Sequence, residues 1–358
     1  MTKINYTKDR DEFQLNFERE TFVNPLKSMI DKAESGRNRG IKLSKYIYFN
    51  LDSRKLLLHI KEQMSENGKI CNPICENMQK DYAAFEGWAI TLKAWLYTAI
   101  DTVELKWDIP PKDMLQNMHY NRFLYRVIRF EEKFDWFSID FSNQTEIEDF
   151  INNKWKNLTL NVSATIPNKK SNDENAVEYE IADKANTSIR KLFIDKYDLC
   201  LFNHQLHVGV KSQKSLLFPG GQSAIDLWGV SNSKETLCVF ELKYINKQKK
   251  NKNIKVGIIS ELFLYVCIME DLIKGAISVQ NPIIEDEKEL YRLIHSHKIK
   301  KIDAFMLSNE FHPLVYSKSV LDLLNNAKVK DNGIPIAFKT ISYSYIRESY
   351  DFTIKEEQ

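Results

Sequence analysis

Cysteine is scarce in this 358-residue chain: Cys71, Cys75, Cys200, Cys238 and Cys267 are the five present. So few, so widely scattered, exclude a disulfide framework. Cys238 and Cys267 lie inside apolar runs, where a thiol behaves as a small hydrophobe. Cys71 and Cys75 are spaced like zinc ligands, but no second Cys/His pair follows at finger-like spacing. His204 with His207, and His295 with His297, read as ordinary strand or surface histidines. An apolar signal core is missing from the opening Met-Thr-Lys-Ile-Asn-Tyr-Thr-Lys-Asp-Arg-Asp. No apolar run reaches the roughly 18 residues a spanning helix requires. The expectation is a cytoplasmic, reduced protein with no membrane partner. Charge of one sign is also lacking, with a formal net charge of +2, so any polyanion must be met by local charge. There is no internal repeat and no phosphate-cradling glycine loop: Gly220-Gly221 is not followed by Gly-Lys-Ser/Thr, which counts against a nucleotide-processing enzyme.

What is present suffices for a packed core, with 43% hydrophobic and 28% charged residues. Strands are expected at Lys45 to Leu51, Phe123 to Phe130, Phe134 to Phe141 and Leu158 to Ile166. Helices are expected at Ser53 to Gln63, Tyr82 to Leu105 (stopped by Pro110-Pro111) and Glu146 to Lys156. Tyr120, Arg122, Tyr125, Arg126 and Arg129 interleave aromatics with arginines. That pattern suits nucleic acid, or a strand with one solvated basic edge, the reading preferred here. The polar stretch Pro167 to Asn175 reads as a linker between an N-terminal α+β domain, 1–166, and a second domain, 176–358. Beyond it, Glu178 to Phe193 reads as an amphipathic helix. Strands follow at Gln205 to Val210, around Asp226 and around Glu241, then a helix from Val256 to about Lys274. A strand at Ile302 to Leu307, a helix at Ser319 to Ala327 and a strand at Ile334 to Tyr343 complete the series. The fold expected is α/β, with a mixed central sheet flanked by helices.

The chemistry concentrates between Ile225 and Tyr265. Two apolar runs, Ile-Asp-Leu-Trp-Gly-Val and Leu-Cys-Val-Phe-Glu-Leu-Lys-Tyr, each hold an acid that a buried strand tolerates poorly. Strand alternation puts Glu241 and Lys243 on one face and Leu242 on the other. If the two strands pair, Asp226 joins them. Two carboxylates in an apolar setting call for neutralisation, which a divalent metal supplies. Mg²⁺ or Mn²⁺ prefers such hard oxygens, so Asp226, Glu241 and the Leu242 carbonyl are the candidate metal ligands. Lys243 would stand beside a bound water or the developing charge. Lys247, Lys249, Lys250, Lys252 and Lys255 crowd the loop after Glu241 and suit a nucleic-acid backbone.

An Asp followed by Glu-x-Lys on the next strand, within an α-β-β-β-α-β order, resembles the PD-(D/E)XK nuclease superfamily of restriction-endonuclease-like fold. The resemblance covers roughly Glu178 to Leu307, with Ile225 where the pattern often has proline. It implies an Mg²⁺- or Mn²⁺-dependent nuclease with Asp226, Glu241 and Lys243 in the catalytic roles. One branch carries Gln-x-x-x-Tyr on the helix after the lysine strand. Here Glu261-Leu-Phe-Leu-Tyr265 occupies that place, with Glu261 either turned to the site or exposed at a helix edge. Some members use a glutamate on the first core helix, which here is Glu178, with Glu180 as the fallback.

The function expected is a DNA endonuclease of restriction or phage-defence type, the N-terminal domain selecting substrate or regulating access. A symmetric homodimer would supply the paired sites needed to cut both strands. The alternative is a non-catalytic nucleic-acid-binding or assembly subunit that keeps the fold.

Overall fold

The computed structural model describes residues 44, 47–64, 70–76, 83–161, 173–185, 187–212, 215–219, 223–245, 256–279, 285–312, 314–328, 333–346 and 351–358. By contact the chain divides into two compact units, and they are not two consecutive pieces. The first holds Met1–Asn153 with Lys255–Ser260 and His312–Lys328; the second holds Lys154–Ile254, Glu261–Phe311 and Val329–Gln358. Of the linker expected at 167–175, residues 167–172 lie outside the described residues, and 173–175 open a helix.

In the first unit, strands Ile47–Asp52 and Lys55–Ile60 form an antiparallel hairpin. Its two turn residues, Ser53 and Arg54, take φ of 46° and 69°, as a tight hairpin of this kind requires. The helix expected over Ser53 to Gln63 is therefore absent. Lys-Leu-Leu-Leu-His-Ile buries Leu56, Leu58 and Ile60, the period of a half-buried strand. The long helix expected over Tyr82 to Leu105 is cut short as well: it runs Phe85–Trp95, and Thr102–Trp107 is a strand burying every second residue. These strands and Phe137–Ile139 make a four-stranded sheet.

The strand expected over Phe134 to Phe141 is present as the short strand Phe137–Ile139, while the one expected over Phe123 to Phe130 lies inside a helix, Met118–Lys133. Asn117 caps it, its side chain accepting from His119 N at 2.7 Å and Tyr120 N at 3.4 Å. The arginines on it form no solvated edge: Arg122, Arg126 and Arg129 are all buried. Arg126 Nε donates to Glu86 Oε1 at 2.7 Å, Nη2 donates to Glu86 Oε2 and, at 2.7 Å, to the Ala83 carbonyl. This fork consumes the charge internally. The later segments join the unit by named bonds. Trp95 Nε1 donates to the Leu314 carbonyl at 2.8 Å, and Lys328 N to the Lys133 carbonyl at 2.9 Å. At Gly87 a Cβ would sit 2.5 Å from the Val256 carbonyl oxygen, so only glycine allows that approach.

In the second unit, the helix expected over Glu178 to Phe193 is two helices, α1 (Asp173–Ala182) and α2 (Thr187–Tyr197). The main sheet has six strands: β1 (Leu199–His207), β2 (Ala224–Ser231), β3 (Thr236–Lys243), β4 (Lys301–Ser308), β5 (Ile336–Ile346) and β6 (Asp351–Glu357). Their order is β6-β5-β4-β3-β2-β1. β1, β2 and β3 are antiparallel neighbours; β3, β4 and β5 are parallel; β6 returns antiparallel. Between β3 and β4 the chain runs through α3 (Gly257–Ile273), a short strand Ile277–Val279 and a helix Glu285–His295. That last helix and β6 are elements the sequence reading lacked. Ile277–Val279 pairs with Leu158–Asn161 in a second, smaller sheet.

The core of this unit is aromatic. Phe240 and Phe305 stack at 4.5 Å between neighbouring parallel strands, and Phe193 and Phe202 stack at 5.5 Å. Leu227, Phe240 and Leu242 bury one face of the hairpin against Val177, Ile181 and Phe193 of α1 and α2. Period two then assigns Asp226, Glu241 and Lys243 to the alternate positions. The class is mixed α/β, with mixed sheets flanked by helices. No helix among the described residues is long and apolar enough to cross a membrane.

Candidate functional site

The β2–β3 hairpin pairs Leu227 with Phe240 and Trp228 with Val239. One step further along the same register, Asp226 faces Glu241. Asp226 Oδ2 accepts the backbone N–H of Leu242 at 2.7 Å, which ties the first acid to the strand carrying the second. Glu241 is 1% exposed, and its Oε1 accepts from Lys243 Nζ at 2.5 Å. Its other oxygen, Oε2, is buried with no hydrogen-bond partner. A carboxylate oxygen buried without a hydrogen-bond partner carries a desolvation cost.

Lys243 is the hub. Besides Glu241, its Nζ donates to Glu261 Oε2 at 3.0 Å and lies 3.5 Å from Glu174 Oε1. Burial works against the ammonium, but Glu174, Glu241, Glu261 and Asp226 outweigh it and raise the lysine well above its usual value. The two carboxyls shift upward as well. Burial pushes Asp226 and Glu241 well above the usual carboxylate range, Lys243 pulling both down and neighbouring acids pushing them up. Four acids therefore share one lysine, and the cluster is short of positive charge.

Glu261 and Tyr265 are one helical turn apart on α3, and both are buried. The exposed helix-edge placement for Glu261 is thus not what the structure has: the side chain is turned to Lys243. Tyr265 is raised well above its usual value by burial and then by the charges of Glu241, Glu261 and Asp226. Glu178 is 2% exposed on α1; its two oxygens each accept from Gln205 Nε2 at 2.7 Å. His204 Nδ1 lies 3.3 Å from Glu178 Oε1. The fallback Glu180 points away and accepts from Tyr345 Oη.

Two residues escaped the sequence reading. Glu174 contacts Lys243, and its Oε2 accepts the Tyr244 N–H at 3.3 Å, but it lay in the stretch assigned as a linker. The signal was its spacing of four from Glu178, which places both acids on one helix face. Asn309 fixes the chain beyond β3, accepting the Ile245 N–H at 2.8 Å and donating to its carbonyl at 3.0 Å. Lys247, Lys249, Lys250, Lys252 and Lys255 lie outside the described residues. So does the turn at Gly220-Gly221.

Among the described residues, no group of three or more His, Cys, Asp or Glu side chains is gathered in a metal-ligating arrangement. The acids are drawn together around the Lys243 ammonium instead. Comparisons with family models, with curated proteins and with solved structures found no match.

Proposed function

We propose that the chain is a metal-dependent nuclease built on a restriction-endonuclease-like core, hydrolysing phosphodiester bonds, most readily those of DNA. The reading is supported first by one observation: Asp226 and Glu241 come together across a hairpin beside Lys243, with Glu241 Oε2 buried and unpartnered. Topology adds to it. An α1-to-β3 run of helix and antiparallel strands, then α3, then the parallel β4, is the element order that the superfamily resemblance implies. The restriction or phage-defence role is an analogy of fold alone.

The donor set fits Mg²⁺ or Mn²⁺. It is oxygen only, one oxygen is orphaned, and two carboxylates with waters completing the shell is a common arrangement for Mg²⁺. Asp226, Glu241 and the Leu242 carbonyl would hold the ion. When bound, such an ion lowers the pKa of water and offsets charge on the phosphate. The side chains divide the remaining work. Lys243, held as a cation by its acids, stabilises negative charge on the phosphate and is unsuited to take a proton. Glu261 accepts from Lys243 Nζ at 3.0 Å and so orients it. A water oxygen bonds to phosphorus and releases its proton to solvent, the P–O ester bond breaks, and the leaving alkoxide takes a proton from solvent. The lysines at 247, 249, 250, 252 and 255 supply backbone affinity.

The other reading, a non-catalytic nucleic-acid-binding or assembly subunit, has one observation in its favour: the acids already share a resident cation in Lys243. The purified chain should be tested on plasmid, linear, single-stranded and RNA substrates with Mg²⁺, Mn²⁺ and EDTA. The nuclease reading expects metal-dependent products that EDTA abolishes. Binding without cleavage on every substrate would favour the subunit.

A further inference from the structure

Gln205 is the one residue of the β1 strand with a left-handed backbone, φ 53°. Nothing about glutamine favours that region, and holding it there is a strain. Strain of this kind persists only where surrounding contacts enforce it. Its position in the sheet is telling. β1 pairs with β2 through Ile225 with Leu206 and Leu227 with His204, so Gln205 falls in register with Asp226. In a regular strand, His204 and Gln205 would point to opposite faces. Here both reach the same carboxylate: Gln205 Nε2 donates to both oxygens of Glu178 at 2.7 Å, and His204 Nδ1 lies 3.3 Å from one of them. The positive φ is what breaks the alternation and lets neighbouring residues converge.

The partner's placement completes the geometry. Glu178 and Glu174 lie four apart on α1, on one face. Glu174 is fixed to the end of β3 through Lys243 and Tyr244, and Glu178 to β1 through Gln205. The strand carrying Asp226 runs between β1 and β3. A buried carboxylate whose two oxygens both accept from one amide nitrogen is held in place, so Glu178 is kept beside Asp226.

We propose that Gln205 is a positioning residue, its strained backbone serving to clamp Glu178 beside Asp226. The inference rests on the nuclease reading for its catalytic consequence, and on geometry alone for the clamp.

Two measurements separate those parts. The first is a double-mutant cycle on thermal unfolding with Gln205→Ala, Glu178→Gln and the double variant, which isolates their coupling. The clamp expects the double variant's Tm to depart from the sum of the single shifts by about 2 °C or more; additive shifts would overturn it. The second is cleavage by Gln205→Ala, Gln205→Glu and Gln205→Lys. The catalytic role expects kcat to fall by about 10-fold or more in the first two, with KM little changed, and to recover partly in Gln205→Lys, which keeps a donor of similar reach. A wild-type kcat in Gln205→Ala, or equal kcat values for Gln205→Glu and Gln205→Lys, would overturn that role. If the wild type cuts no substrate, the nuclease reading fails, the catalytic role falls with it, and the cycle still decides the clamp.

Discussion

Each compact unit buries an ionic cluster, and the two are built on different accounts of charge. In the first, Arg126 meets Glu86 fork to fork, with the Ala83 carbonyl taking a further donor. One cation faces one anion, both at 2% exposure or less, and every strong group has a partner. In the second, Lys243 faces Glu174, Glu241 and Glu261 directly, with Asp226 alongside, and Glu241 Oε2 has no partner. A balanced buried pair is scaffold, because removing either member strands the other. An acid-rich cluster is different: several acids crowd one cation, so removing one of them is expected to relieve repulsion rather than strand a partner.

The largest expected effect is on stability. Glu86→Ala leaves the Arg126 guanidinium buried and alone, and should cost about 3 to 5 kcal/mol in chemical denaturation. Glu241→Ala should cost nothing or raise the Tm, since Lys243 keeps Glu174 and Glu261 and the mutual repulsion falls. Similar losses in both variants would erase the distinction between the clusters.

A second contrast is in pH dependence. In the first unit, burial lowers His312 to about 3. The unfolded histidine binds the proton first, so this contribution is lost as pH falls below the ordinary histidine value near 6.5. In the second unit, burial and then Asp286 raise Glu287 to about 7. Here the folded state holds the proton longer, so stability is lost as pH rises through the neutral range. Glu287→Gln should therefore raise stability by about 1 to 3 kcal/mol at pH 8.5 and leave it unchanged near pH 4. Melting curves at the two pH values check this, and an equal gain at both would contradict it.

The smallest effect concerns binding. Replacing Lys249, Lys250 and Lys252 with Gln should weaken nucleic-acid affinity and flatten its salt dependence by up to about three units of slope. A slope unchanged in gel shifts at several salt concentrations would return the loop to simple solvation.

Legibility differed between the units for physical reasons. Asp226 and Glu241 were visible because a charge in an apolar run is rare and the period of a strand is strict. The first unit misled because its signals conflict. Phe123, Leu124, Val127 and Phe130 suggest a β run by residue type, yet their spacing is helical, and the arginines between them are buried through partners no local pattern reveals. Lys55–Ile60 shows the converse, a strand short enough to pass for a helical turn. Glu174 was hidden by a polar neighbourhood that resembles a linker. The left-handed backbone at Gln205 has no sequence mark at all, since glutamine is not a residue type that favours it.

The most direct test of the central claim is metal-dependent cleavage by wild type and Glu241→Ala side by side, with a thermal melt and a gel shift on each. The account predicts that the wild type cuts in Mg²⁺ or Mn²⁺, while Glu241→Ala is folded, still binds nucleic acid and does not cut. Asp226→Ala should behave alike, and Lys243→Ala should lose on the order of 10² to 10⁴ in rate. Cleavage by Glu241→Ala at the wild-type rate in Mg²⁺ would contradict it.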